Sequence, residues 1–474
     1  MGTLFGTLGS ASDALRAFQR AVDVTQNNVT NANSPGYAKQ VPALESRPFN
    51  PNTGLTGGVQ EITTDSRNEF AEAAVQQQTS LLGEFQQLQT SLAPLQNVFD
   101  VSANSPIPSA LNQLFQSFSA WSAQPDNTNA RSAVIAAAAQ VGTAFQQAAT
   151  QLSQIRSATD HNLQSTLDKI NQDAAAIRDY NAAVARGESG DAGLSAQLHS
   201  TLEDLSSLAD VQVVPGNGGT VTVLLGGQTP LVIGEQLNAL QVQYPSDPSA
   251  VNPNAPPNAA ILDSTGADVT SKITSGSLQA LLSVRNNLIP SLAGGPQTDG
   301  GLNTLAKSIA DTVNNLLANG STTTSGPPSP GPPLFTYDGT SPTNIAASLQ
   351  ANSSLTPSQL AAVDPGPPVV ANGIALQLAG LDNAPGGQIN GLGFTQFFGS
   401  LVAQVGSAAK QADTAATAQT SVVAQAKALR QQLSGVSLDE EAIRLIELQR
   451  SYQAASKVVN VVDQLAQSVL NMVQ

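Results

Sequence analysis

The chain contains no cysteine. Disulfide staples, thiolate metal sites and thiol nucleophiles are therefore excluded, and a thiol-free chain suits passage into an oxidising space. Charge is also scarce: 19 basic and 34 acidic residues make up 11% of the 474 positions, less than half of the ~25% usual in soluble globular proteins. The formal balance is −15, so the basic footprint of a nucleic-acid-binding protein is missing and acidic membrane surfaces are disfavoured as partners. No apolar run approaches the ~18 residues that a membrane-crossing helix needs; the stretch around Ala133 to Ala139 falls far short. The opening MGTLFGTLGSASDALR has no basic residue before Arg16 and no sustained apolar run, so no cleavable secretory signal is expected.

Against these absences, 41% of residues are hydrophobic, which separates the chain from disordered sequences of low charge. Gln, Asn, Ser, Thr and Ala take the place of charge. The length would fit about three domains of ~150 residues, but the patterning points to a mainly α chain: a long helical rod or bundle, coiled-coil N- and C-terminal helices packed together, and a small antiparallel β insertion.

Both ends carry a heptad stripe. Leu4, Leu8, Ala11, Leu15, Phe18, Val22, Thr25 and Val29 alternate in steps of four and three, as do Leu438, Leu445, Leu448, Tyr452, Ala455, Val459, Val462, Ala466, Val469 and Val473; such spacing sets apolar side chains along one seam of a helix. Glu441 is the one charged interruption of the second seam. Between the ends, helical periodicity begins near Arg67, and Pro94 is expected to kink or end that helix. A helix is expected from about Asn129 to Ala185, passing through a four-four step between Thr159 and Leu163 that unwinds supercoiling without breaking the helix. The period then turns from helical to alternating in VQVV, TVTVLL, PLVIG and LQVQY, separated by Pro and Gly clusters, which reads as short antiparallel strands. Gly320 to Pro333, GSTTTSGPPSPGPP, has the composition of a mobile linker. The expected organisation is a discontinuous terminal-helix domain, 1–60 plus 430–474, and a helical rod domain, 66–429, with a β insertion over about 210–275.

Catalytic and metal chemistry find little support. His161 and His199 lie outside any ligand-spaced cluster and read as solvated helix-surface residues. GESGD at 187–191 lacks the last glycine of a nucleophile elbow, which makes Ser189 a turn residue. GNGGTV at 216–221 precedes a strand where a phosphate loop should precede a helix, so it reads as a hairpin turn. Asp439, Glu440 and Glu441 stand side by side at a helix start, where the N-terminal dipole and free amides favour acids. No enzyme, cofactor or metal site is expected.

Two segments go beyond composition. NNVTNANSPGYAKQ, Asn27 to Gln40, resembles the N-terminal signature of the bacterial flagellar axial proteins, the rod, hook and filament family, and its SPGY form is similar to that of the hook-associated members. SGVSLDEEAIRLIELQRSYQAASKVVNVVDQLAQSVL, Ser434 to Leu470, resembles the C-terminal pattern of the same family. Two departures stand out: QLHSTLEDL replaces an LLDQRD-like sequence before the strands, and the large outer β domain of longer relatives is reduced or missing. The residues themselves suit the N-terminal motif, since Asn27, Asn28, Asn31 and Asn33 can satisfy carbonyls at a helix end and Pro35 and Gly36 force the turn.

The resemblance implies a secreted structural adaptor of the flagellum at the hook-filament junction. It implies export through the type III channel, self-assembly into a ring, hook protein below, the filament side with hook-associated protein 3 above, and a cytoplasmic export chaperone at the C-terminal helix. The residues it points to are Leu4, Leu8, Leu15, Phe18, Val22, Asn27, Asn28, Asn31, Pro35, Gly36 and Tyr37 at the N-terminal helix. At the other end they are Leu438, Asp439, Glu440, Glu441, Leu445, Leu448, Tyr452, Ala455, Val459, Val462 and Val469. It also implies terminal helices that order only on assembly, because helices with an uncovered apolar seam do not offset ~1–2 kcal/mol of backbone entropy per residue. Alternatives are another axial subunit (hook, rod or flagellin-like) and a secreted coiled-coil adhesin or effector.

Overall fold

The computed structural model describes residues 2–46, 59–100, 105–188, 190–381 and 389–473. Ser189, expected in a turn, lies outside them, as do the side chains of Leu4, Val469 and Val473. The protein is mainly helical with small antiparallel sheets. It divides into two compact units, one made of 1–82, 170–239 and 419–474, the other of 83–169 and 240–418.

The first unit opens with α1 (Gly2–Asn31), followed by a hairpin of β1 (Gln40–Ser46) and β2 (Val59–Asp65) in which Pro42 pairs with Thr63. The hairpin packs on α1. The sequence reading places no strand here, since a buried Pro42 and the Pro- and Gly-bearing connection hide the alternation. Next comes α2 (Glu69–Val98), which contributes its residues to position 82 to this unit. Pro94 sits inside α2 without ending it. Leu92, Leu95 and Val98 are all buried around it, so side-chain packing offsets the backbone hydrogen bond that a proline forfeits. The second unit continues with α3 (Pro106–Ala123) and most of α4 (Thr128–Ala183), which runs unbroken through the four-four step.

The end of α4, from Ile170, returns to the first unit. There the fully buried Asn181 amide donates to the Val221 and Gly234 carbonyls and accepts from the Val221 N–H, each at 2.8 Å. These bonds fasten a four-stranded antiparallel sheet to the helix end. Gly187, with φ of 100°, turns the chain into α5 (Ala192–Leu208), whose first free amides are capped by the Asp191 carboxylate. The sheet follows in the order β3 (Val211–Pro215), β4 (Val221–Leu225), β5 (Thr229–Ile233) and β6 (Gln236–Leu237). The strands over 210–275 do not form one sheet: β7 (Gln241–Gln243) and β8 (Ala260–Leu262) pair separately, in the second unit.

The second unit then adds α6 (Gly276–Ser283), α7 (Ile289–Ala293), α8 (Gly301–Asn319), β9 (Phe335–Thr336), α9 (Ile345–Ser348), β10 (Gln350–Ala351), α10 (Gly373–Ala379) and the start of α11 (Phe394–Ser434). Its core brings Phe118 and Trp121 of α3, Phe145 of α4, Leu305 and Ile309 of α8 and Phe398 of α11 into one buried cluster. Phe115 and Phe394 stack with ring centroids 6.4 Å apart. The Pro-rich stretch 320–333, expected as a mobile linker, lies wholly within this unit and is tied down. Buried Ser321 exchanges backbone hydrogen bonds with Val363, and the Gly331 N–H donates to the Leu317 carbonyl at 3.1 Å. The first unit closes with the end of α11 and with α12 (Leu438–Val473), which packs along α1.

Candidate functional site

The α1–α12 pair places most of the residues singled out by sequence. On α1 the fully covered row is Ala17, Ala21, Thr25 and Asn28, which shares Thr25 with the expected seam and otherwise flanks it. Leu8, Leu15, Phe18 and Val22 border it half-buried, and Val29 is exposed. On α12 the inward row keeps part of the expected heptad: Leu448 is buried, Leu445, Ala455, Val459, Val462 and Ala466 are half-buried, and Glu441 is buried with them. Leu438, Asp439 and Tyr452 face solvent.

Where the rows begin, the two signature segments meet. The Asn28 amide nitrogen donates to Glu441 Oε2 at 2.9 Å and to the Gln40 carbonyl at 2.7 Å. Its oxygen accepts from the Tyr37 hydroxyl and the Gln40 N–H, both at 2.9 Å. Asn28 and Glu441 are each 0% exposed. Four hydrogen bonds use the full reach of one amide, so the end of α1, the turn and the start of α12 share a single polar node.

Lys39 supplies the charge that a buried carboxylate requires. Its ammonium lies 2.8 Å from Glu440 and 3.3 Å from Glu441 Oε1. The Glu440 hydrogen bond leads the causes that raise the Lys39 pKa above its ordinary value. The Tyr37 hydroxyl is also raised, first by burial and then by the Glu441 charge. The Glu441 reading is thereby corrected: it sits in the first turn of α12, but it is the buried partner of Asn28 and no interruption of the seam. Asn31, at the helix end, donates to the Asn27 carbonyl at 3.0 Å, while Asn27 and Pro35 are exposed.

Gly36 has φ of 70°, and a Cβ there would overlap the Ala196 carbonyl oxygen of α5. Its own carbonyl accepts from Arg67 at 2.7 Å. Arg67 opens a half-buried ionic chain through Glu72, Arg430, Glu203 and Lys427, with contacts from 2.6 to 3.1 Å, which joins α2, α5 and α11. His199 of α5 lines the adjoining cleft with Arg67 and Glu72. It is half-buried, not solvated as expected, with Nδ1 2.9 Å from the Ser195 carbonyl. Burial, then the Arg67 charge, lowers its pKa.

Sequence reasoning placed Lys39 and Gln40 in the signature segment without a site role and missed Arg444, which donates to the Pro42 carbonyl at 3.0 Å. It also missed a second apolar row on α12. Ile443, Ile446, Val458, Val461 and Leu465 are exposed, from 52% to 60%. They fall in two groups, Ile443 with Ile446 and Val458 with Val461 and Leu465, spaced by three or four residues within each group and by twelve between them, and that gap hid the pattern. A groove of about 570 Å³ beside this row is walled by Phe18, Pro42, Leu44, Ile443 and Leu448. Among the described residues no cluster of three or more acidic, His or Cys side chains is arranged to hold a metal ion, and no helix is long and apolar enough to cross a membrane.

Residues 92–335 match the flagellar hook-associated protein FlgK helical domain. Residues 8–37 match the flagella basal body rod protein family and 424–472 the flagellar basal body rod FlgEFG protein C-terminal family. Flagellar hook-associated protein 1 of Bacillus subtilis is 26% identical, with 99% of each chain covered. The flagellar hook junction protein FlgK of Burkholderia pseudomallei has a similar fold, with a TM-score of 0.63 and 18% identity over 77% of this chain and 100% of that one. With its helical-domain match alone spanning more than half of its length, the chain belongs to the flagellar hook-associated protein FlgK family, a family of structural flagellar proteins and not of enzymes.

Proposed function

We propose that this structural subunit of the flagellar hook-filament junction joins its neighbours in the flagellar axis through the outer apolar row of α12. The observation that carries the reading is that α12 has two apolar rows and uses only one within its own chain. Five half-exposed aliphatic side chains stand to gain ~1 kcal/mol each on full burial. That sum only reaches the lower end of the ~4–15 kcal/mol that association costs. One contact is therefore weak, while a ring in which each subunit has neighbours on both sides is stable. The terminal helices, 1–60 plus 430–474, form the assembly layer in this reading. Hook protein lies below, the filament side with hook-associated protein 3 above, and an export chaperone covers the C-terminal helix before type III export.

A rod, hook or flagellin-like role is the nearest alternative. The rod-protein matches are confined to the two ends, whereas the hook-associated match fills the middle, which favours the junction. Immunogold labelling separates the two: a single band beside the hook is expected, and label along the filament contradicts the reading.

A further inference from the structure

A cluster in the second unit carries an unbalanced charge. Arg285, 2% exposed, donates from Nε to Asp160 Oδ1 at 2.6 Å and from Nη2 to the Pro257 carbonyl at 3.0 Å. Its guanidinium also lies over the Tyr244 ring, 5.5 Å from the centroid. Arg156 stands one turn before Asp160 on α4, so the two share a helix face. It donates from Nη2 to the Gly294 carbonyl at 3.0 Å.

Arg285 thus pairs directly with Asp160, while Arg156 feels the same carboxylate and the Arg285 charge through space. Two of their buried nitrogens, Arg156 Nε and Arg285 Nη1, have no acceptor among the described residues. Burial, and then the Arg285 charge, pushes the Arg156 pKa down to about 10, against the opposing pull of Asp160. An uncompensated buried cation is costly, and a second anion relieves that cost. Asp160 and Tyr244 are partly exposed, which leaves the cluster an edge open to solvent.

We propose that Arg156 and Arg285 form a receptor for one oxyanion, a carboxylate or a phosphate group, held at their two unpaired nitrogens, Arg156 Nε and Arg285 Nη1. A planar guanidinium suits a two-oxygen acceptor better than it suits chloride. The source is either a free anion or an acidic side chain of a second copy of this chain, which carries 34 acidic residues against 19 basic ones.

The test is thermal unfolding and sedimentation of the full chain in inorganic phosphate against chloride at equal ionic strength, for the natural protein, Arg156→Gln and Asp160→Asn. A saturable rise of the unfolding midpoint in phosphate, absent in R156Q, supports the receptor and assigns it a free anion. Self-association in phosphate-free buffer that phosphate disperses and R156Q abolishes supports it with a second copy as the source. If the natural protein shows neither effect, the proposal is overturned. Should R156Q fail to fold by circular dichroism, D160N decides the matter. Removing the competing carboxylate strengthens the phosphate response if the receptor exists, and an unchanged response contradicts it.

Discussion

Asn28 and Glu441, 413 positions apart in sequence, meet at 2.9 Å with neither exposed to solvent. One amide thereby fixes where α12 starts against where α1 ends. Asn28→Ala orphans a buried carboxylate oxygen and the Gln40 peptide groups, each unmade bond costing ~1–3 kcal/mol. Weaker amide-exchange protection in the first turns of α12 is the expected result. Asn27→Ala, at an exposed neighbour, stays within ~0.5 kcal/mol of the natural protein.

Gly36→Ala adds a strained φ and a collision with the Ala196 carbonyl. Loss of ~1–3 kcal/mol is expected for a non-glycine residue held in that region, with the clash in addition. Thermal unfolding reads the loss, and Gly187→Ala, with open space around its Cβ position, shows the cost of φ alone.

The pH dependence has two limbs. Lys39 and Tyr37 have folded-state pKa values above their ordinary 10.5 and 10.0, so their contributions are complete below those values and vanish as pH rises through the folded ones. His199 has a folded-state value below 6.5, so its contribution is complete above 6.5 and is lost as pH falls through the folded value. Stability measured against pH is expected to drop less steeply below 6.5 in His199→Gln, and less steeply in the alkaline range in Lys39→Met.

The sequence made much of this legible because helices announce themselves by period. From Leu445 to Ala466 the heptad positions of α12 face inward except exposed Tyr452, and α4 passes its stutter at Thr159 unbroken. Glu441 was opaque for the opposite reason: an acid in an apolar seam looks like a flaw until its partner, 413 residues away, is seen. The β1–β2 hairpin was hidden by Pro42, and the tied-down 320–333 loop by a composition that usually means mobility. In both cases long-range packing overrode local preference.

The two rows of α12 also bear on folding. Between Ala455 and Ala466 the inward side chains of α12, Val459 and Val462 among them, are half-buried, and on the proposed reading the order of this stretch depends on neighbours. In dilute subunits, amide exchange is expected to be fast at Val22 and Val459 and slow at fully buried Phe145. Strong protection at Val22 and Val459 in the isolated chain contradicts folding on assembly.

The outer row of α12 gives the most direct test. Val458→Asp with Val461→Asp alters two side chains that are 53% and 54% exposed, so the isolated chain should keep its unfolding midpoint while the apolar row is broken. The measurement is the fraction of cells carrying attached filaments, scored beside motility and secreted flagellin. The account predicts secreted flagellin without attached filaments. Normal filament attachment and motility in the double variant would contradict the assignment of this face to assembly.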